Sequence, residues 1–380
     1  MDNSRRCALG LGLVAAVVAG VVSLSGCSGK PKVIRIAVAG PITGPYAVFG
    51  REQLNGARLA VEQANAAGGV LGLRVEIEEI DDKADTEETG RLALDIGSDH
   101  SVLAVIGHPN SGPALLASDV YDQYKVPFVI TVATLPKITR RGNTFTFRIC
   151  PTDEMQGPMA AEFAFAKLGK KNIAIIHDGS PYGKGASEEF GKRADSEGAN
   201  IVLLETAPRG QTDFAAVVGK LAEVKPEVIH FAGMFTEAGY FLSQTRAKGV
   251  DAVFIASDGT FDEGFMRIAG AASEGAYVTF LSPPWDQVPS AAAFVAAYEK
   301  QFGKVGPLSP YGYDAMNVVL EGIRRAGKAQ RQALQLALAN PSFRLQGATG
   351  EITFNEDRQL KGGQFSLYQV KTGRFTTVAH

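Results

Sequence analysis

The sequence predicts an α/β protein made of two doubly wound, Rossmann-like lobes. Three observations carry that expectation. Short apolar runs alternate with longer amphipathic stretches along the chain. Many of the short runs are apolar throughout, as parallel strands are when helices cover both faces of their sheet. The alternation then begins a second time at "FTFRI", which gives two sheets rather than one. At 380 residues the chain is also too long for one ordinary core.

The elements follow in order. "VIRIAVAG" reads as a strand, and residues 48–66 read as a helix whose apolar face holds Leu54, Ala57, Leu59, Val61 and Ala64. "LRVEIEEID", "VLAVIG" and "PFVITV" are strands, separated by helices over 86–96 and 113–124. The second set opens with "FTFRI" and a helix over 153–168. It continues with strands "NIAIIHD", "IVLLETA", "VIHFAG" and "AVFIASD", separated by helices around Glu188, Ala216 and Ala238. Further on, "SAAAFVAAYEKQFG", "YDAMNVVLEGIRRAG" and "RQALQLALAN" are helical, the last stopped by Pro341. "GEITFNED" and "QFSLYQV" read as strands around a turn. These late elements return to complete the lobes. One lobe is expected to take 33–151 plus 282–363 and the other 152–281 plus 364–380, joined by a multi-crossover hinge. Ligands of open α/β sheets bind at the carboxyl ends of the strands, so the cleft between the lobes is the expected site.

The first residues read as an address rather than as part of the fold. Arg5 and Arg6 precede the apolar run "CALGLGLVAAVVAGVV", which is short for a membrane span. "LSGC" at 24–27 resembles the bacterial lipobox, against the plainer reading of a secretory signal with a chance cysteine. The expectation is a signal peptide over 1–26, lipidation at Cys27 and a tether over 27–32. An acylated terminus holds a protein at a membrane surface without spanning it. Cys150 is then the one cysteine left to the fold, so no internal disulfide is expected, and it reads as a packing residue. No C-x-x-C or H-E-x-x-H occurs, so neither a metal nor a cofactor is expected. A formal charge of −2 argues against a nucleic-acid partner.

The residues just beyond each strand carry the functional reading. The first set offers "GPITGPYAVFG", "GHPNSG" and "VATLPKIT", which are hydroxyl-rich and near helix starts. The second offers "HDGSPYGKG", "AGMFTEAG" and "SDGTFDEG", with Tyr182, Glu237 and Asp258. That asymmetry suits a zwitterion, its carboxylate on one lobe and its ammonium on the other. Each residue also has a plainer reading. Ser111 is placed to cap a helix beginning near Gly112, Thr134 to close an ST-turn, and Asp258 to open a turn before Gly259. Tyr182 is placed to pack its ring on a loop.

The landmarks "IAVAGPITGPYAVFG", "LAVEQANAAGG", "EEIDDKADTEE", "VIGHPNSG", "PFVITVATLPKITRRG", "IIHDGSPYGKG" and "ASDGTFDEGF" occur in an order and spacing that resemble the leucine/isoleucine/valine-binding family of periplasmic solute receptors, from about Val33 onward. The resemblance implies the type I periplasmic binding protein fold and a monomeric receptor that hands an amino acid to an ABC permease. It places the protein on the periplasmic or extracytoplasmic face, with the lipid at Cys27 holding it to the membrane. It implies roles by position: Ser111 and Thr134 for the ligand carboxylate, the Val132 carbonyl and Asp258 for the ammonium, Tyr182 as an aromatic gate and Phe49 as a wall. The family's disulfide positions fall on Ala84 and Asn110, so that link is absent, and a second aromatic falls on Met234. A branched-chain or similar apolar α-amino acid is the expected ligand. An amide, a urea or a small aromatic or organic acid is the alternative. An anchored hydrolase is the remote reading: there is no G-x-S-x-G and no P-loop, and His177 and Asp178 are neighbours on an extended segment and point apart.

Overall fold

The computed structural model describes residues 33–378. The expected signal peptide, tether and lipidated Cys27 lie outside the described residues. The first sheet and its helices run β1 (Val33–Gly40), α1 (Ala47–Ala66), β2 (Arg74–Asp81), α2 (Thr86–Ser98), β3 (Val102–Gly107), α3 (Ser111–Gln123), β4 (Phe128–Ile130) and β5 (Thr146–Arg148). The five strands lie in the order β2-β1-β3-β4-β5 and are all parallel. The order reverses between β1 and β3, so the loops leaving those two strands diverge to opposite faces and open a crevice.

The second set follows: α4 (Asp153–Glu162), β6 (Asn172–His177), α5 (Pro181–Ser196), β7 (Asn200–Thr206), α6 (Ala215–Val224), β8 (Val228–Ala232), α7 (Phe235–Ala247), β9 (Val253–Ala256), α8 (Glu263–Ala269) and β10 (Tyr277–Phe280). The chain then adds α9 (Ala292–Phe302), α10 (Ser309–Ala326), α11 (Arg331–Leu338), β11 (Leu345–Gly347), β12 (Gly350–Ile352), β13 (Ser366–Lys371) and β14 (Arg374–Thr377). The second sheet has the order β14-β13-β10-β9-β8-β6-β7, parallel from β10 to β7 and antiparallel at β13 and β14. Helix α10 packs on α1 of the first lobe, whereas β13 returns to the second sheet.

Three expectations need correction. "FTFRI" does not open the second sheet: β5 is the edge strand of the first, paired with β4, and the second sheet's own strands begin with β6. "GEITFNED" and "QFSLYQV" do not pair across a turn: β12 pairs with β11, and β13 pairs with β10 and β14. The apolar pattern was sound, but β12 and β13 each close a short hairpin with an immediate neighbour, β11 and β14, and only the pairing of β13 with β10 joins strands far apart in sequence. "IVLLETA" is also not buried on both faces, because β7 is the edge of its sheet and Leu204 is 61% exposed.

Helix α1 positions much of the cleft, and two glycines let it do so. A Cβ on Gly56 would overlap the carbonyl oxygen of Ser309, and one on Gly312 would overlap that of Gln53. The α1 and α10 backbones therefore touch, which fixes where α10 begins. Gly312→Ala must pry the helices apart. It is expected to cost about 1–3 kcal/mol or more, the scale of overpacking a filled core. Urea unfolding of the two proteins checks this.

Candidate ligand cleft

The loops that leave β1, β3 and β4 are held by buried side chains that hydrogen-bond to backbone carbonyls and to other buried side chains. Gln53, 1% exposed, donates to the Ala39 carbonyl at 2.7 Å and accepts from the Thr131 hydroxyl at 2.9 Å. At the end of β3 the chain turns through Gly107 (φ 124°) and His108 (φ 40°). A side chain at Gly107 would meet Ala39 oxygen, so glycine is required there. His108 holds a left-handed conformation that costs a non-glycine residue about 1–2 kcal/mol. Its ring is fixed on both sides, with Nδ1 2.7 Å from Asp82 Oδ2 and Nε2 3.0 Å from the Tyr121 hydroxyl. Arg148 is fully buried and shapes the loop after β4. It donates to the carbonyls of Ala133 (2.9 Å), Leu135 (2.7 Å) and Pro136 (3.3 Å) and to the Thr139 hydroxyl (3.0 Å). None of these clamps was anticipated from the sequence.

The result is a small, partly open cavity of about 40 Å3 at the crevice. Phe49, Ser111 and Val132 line it from the first lobe, and Tyr182, Met234 and Asp258 from the second. Phe280 and Leu308 complete an apolar wall, and the sequence reading had not singled them out. Phe280 also lines a larger outer groove of about 1630 Å3 that includes Trp285 and Lys304. Thr134 is not in the cavity wall. It is 1% exposed, its carbonyl accepts the Asp153 N–H at 3.1 Å, and its hydroxyl has no partner.

Ser111 is not a cap. It is the first residue of α3, and Asn110 stands at the cap position without a side-chain cap bond. The Ser111 hydroxyl is buried with no hydrogen-bond partner. The first backbone bond back from the helix is Ala114 N–H to Asn110 oxygen at 3.0 Å. An unpaired hydroxyl thus stands at the positive end of a helix, where an anion is favoured.

Across the cavity Asp258 presents the opposite chemistry. Its Oδ1 accepts from Gln156 Nε2 at 2.6 Å and from the Tyr182 hydroxyl at 2.8 Å, and the same Tyr182 oxygen accepts the Gly259 N–H at 2.8 Å. Burial pushes the Asp258 carboxyl above its ordinary range, and the two donors hold it back. Asp153, fully buried with neither oxygen hydrogen-bonded, is pushed well above that range by burial first and then by Asp258. The Thr134 hydroxyl, short of hydrogen-bond geometry, and then the Arg148 guanidinium favour its charged form. Among the described residues neither acid makes an ion pair.

His177 and Asp178 serve separate purposes. His177 Nδ1 accepts the Gly179 N–H at 3.1 Å, and Asp178 Oδ2 accepts from Arg209 Nε at 2.7 Å. Among the described residues no group of three or more His, Cys, Asp or Glu is arranged to hold a metal ion. Cys150 is buried and free, and burial pushes its thiol up to about 12.

The family model described as periplasmic binding protein matches residues 33–374. The chain belongs to the periplasmic binding protein family. A leucine-, isoleucine-, valine-, threonine- and alanine-binding protein of Pseudomonas aeruginosa is 35% identical over 337 residues, covering 88% of this chain and 89% of that protein. A leucine binding protein from Thermotoga maritima superposes with a TM-score of 0.84 at 29% identity, over 91% of this chain and 98% of that one. A branched-chain amino acid substrate binding protein from Streptococcus pneumoniae, solved with isoleucine, gives 0.83 at 26% identity, over 91% and 99%. The fold is therefore the two-lobed type I binding-protein architecture, as expected.

In this periplasmic binding protein the lobes also meet outside the cavity. Phe49 packs edge-on against Phe235 with ring centroids 5.7 Å apart. Tyr46, just before α1, donates its hydroxyl to Glu237 Oε1 at 2.9 Å, and Gly210 N–H donates to the same oxygen at 2.7 Å. The Arg209 guanidinium lies over the Tyr46 ring, 5.6 Å from its centre. Tyr46→Phe removes the one hydrogen bond from the first lobe to Glu237 and leaves the ring packing. Small-angle X-ray scattering of the ligand-free variant is expected to show a larger radius of gyration than wild type, with an unchanged unfolding midpoint.

Proposed function

We propose that this chain is the solute receptor of an ABC importer and that its ligand is a free α-amino acid with an apolar side chain. One observation carries the reading. An unpartnered buried hydroxyl at a helix N-terminus and a carboxylate without a basic partner face one small cavity from opposite lobes. An anion suits the first and a cation the second, and an α-amino acid supplies both at a short, fixed separation. Ser111 and the α3 N-terminus take the ligand carboxylate, with Thr134 as the second hydroxyl near them. Asp258 and the Val132 carbonyl take the ammonium. Tyr182 closes over the head group, and Phe49, Met234, Phe280 and Leu308 meet the side chain. Four apolar walls offer a ligand side chain no hydrogen-bond partner, which favours aliphatic side chains over polar ones. The names of the relatives, which include leucine-, isoleucine- and valine-binding proteins, support the same choice.

The receptor works by closing, not by chemistry. The moving bodies are 33–151 plus 282–363 and 152–281 plus 364–380. Ligand contacts on both lobes favour the closed state, in which a permease recognises the protein. The signal peptide over 1–26 directs export and is removed, and lipid on Cys27, the new N-terminus, holds the receptor at the membrane outside the cytoplasm.

Isothermal titration with leucine and with 4-methylpentanoate, the same molecule without its amino group, tests the reading. Wild type should bind leucine and reject the analogue. Asp258→Asn should lose at least about tenfold, as truncating one side of a desolvated charge pair costs about 2–5 kcal/mol. Ser111→Ala should lose about 1.5–3 kcal/mol, the worth of a hydrogen bond to a charged group. If wild type holds the analogue as tightly as leucine, the ligand is an organic acid or amide instead.

A further inference from the structure

Asp258 does not face the cavity unaided. Gln156 lies on the buried side of α4, 1% exposed, and its Nε2 donates to Asp258 Oδ1 at 2.6 Å. The amide orientation is dictated, because the flipped amide would set its oxygen against the carboxylate. The cost is visible at the other end of the side chain: Gln156 Oε1 is buried without a donor. A buried glutamine kept with an unsatisfied oxygen is a poor packing residue. Its retention is explained by what its N–H does.

We propose that Gln156 is the positioning residue for cation recognition: with Tyr182 it occupies one oxygen of Asp258 and so presents the other to the ligand ammonium. This rests on the amino-acid reading above. Both donors converge on Oδ1, so the carboxylate cannot rotate to share its charge between them and the cavity. The groups around Asp258 are Asp153 and Gln156 on α4, Tyr182 on α5, Cys150 beyond β5 and Tyr311 on α10. None is basic, and the charge of Asp258 pushes the Asp153 carboxyl up further. The donors therefore favour the charged form of Asp258 against its burial. Gln156 is the first of the groups that lower its pKa against burial, ahead of Tyr182. The sign follows. Protonation of Asp258 removes the ammonium partner, so leucine affinity falls on acidification. Without the Gln156 donor that fall begins at a higher pH.

The test is leucine titration from pH 5 to 8.5 for wild type, Gln156→Leu and Gln156→Glu. Gln156→Leu is expected to bind about tenfold more weakly at pH 7, the scale of one charge-assisted hydrogen bond. Its acid limb is expected to move up by about one pH unit. Gln156→Glu is expected to show the opposite trend over part of the range. Its third carboxylate weakens binding at high pH, and protonation restores a donor as the pH falls. Gln156→Leu with wild-type affinity and pH profile, or with an equal loss at every pH, overturns the proposal and leaves the amino-acid reading standing. The same holds if Gln156→Glu binds with the wild-type profile. A wild type that binds no amino acid overturns both.

Discussion

A carboxylate in a closing cleft, with no basic side chain to meet it, is the constraint on which the rest of this structure turns. Asp258 carries two neutral donors on one oxygen and a second buried acid nearby. Leaving an ion in such a place is costly unless a counter-charge arrives. Among the described residues none forms an ion pair with Asp258, and in the proposed reading the counter-charge belongs to the ligand. Selectivity and closure then have one origin. A ligand without a cationic group leaves Asp258 desolvated and unpaired, and the closed state loses its advantage.

Holding the site in register takes more polar side chains than the cavity wall contains. Arg148, Gln53 and His108 do not line the cavity, yet they place three strand-end loops. Each satisfies buried backbone or side-chain groups that a short strand leaves open, which a purely apolar core cannot do. The burial of Arg148 lowers the pKa of its guanidinium, and its four oxygen acceptors compensate for lost water. The close α1–α10 contact through Gly56 and Gly312 extends the same frame to Leu308, at the head of α10.

The sequence made most of this legible, for a physical reason. Parallel strands declare themselves by apolar runs, and ligands of such sheets sit at strand ends. Ser111, Tyr182 and Asp258 were therefore found by position, Met234 through the family resemblance, and all four stand around one cavity. Phe280 was missed because β10 is a four-residue strand before a proline-rich segment, too short to read as one. Leu308 precedes a helix and follows no strand. Gln156 had a signal that went unused: Asp153, Gln156 and Ala160 share the buried face of α4, and polar residues at core spacing ask for partners. The return of 364–380 to the second lobe was expected, but the antiparallel pairing of β13 with β10 was not legible, since strand partners distant in sequence leave no local trace.

The most direct test of the account is a high-resolution crystal structure of the protein with leucine. The account predicts the ligand carboxylate within hydrogen-bond distance of Ser111 Oγ and the first N–H groups of α3, and the ammonium on Asp258 Oδ2, with Gln156 and Tyr182 still on Oδ1. A ligand bound in the reverse sense, or one whose ammonium faces water while Asp258 keeps only its protein partners, would contradict it.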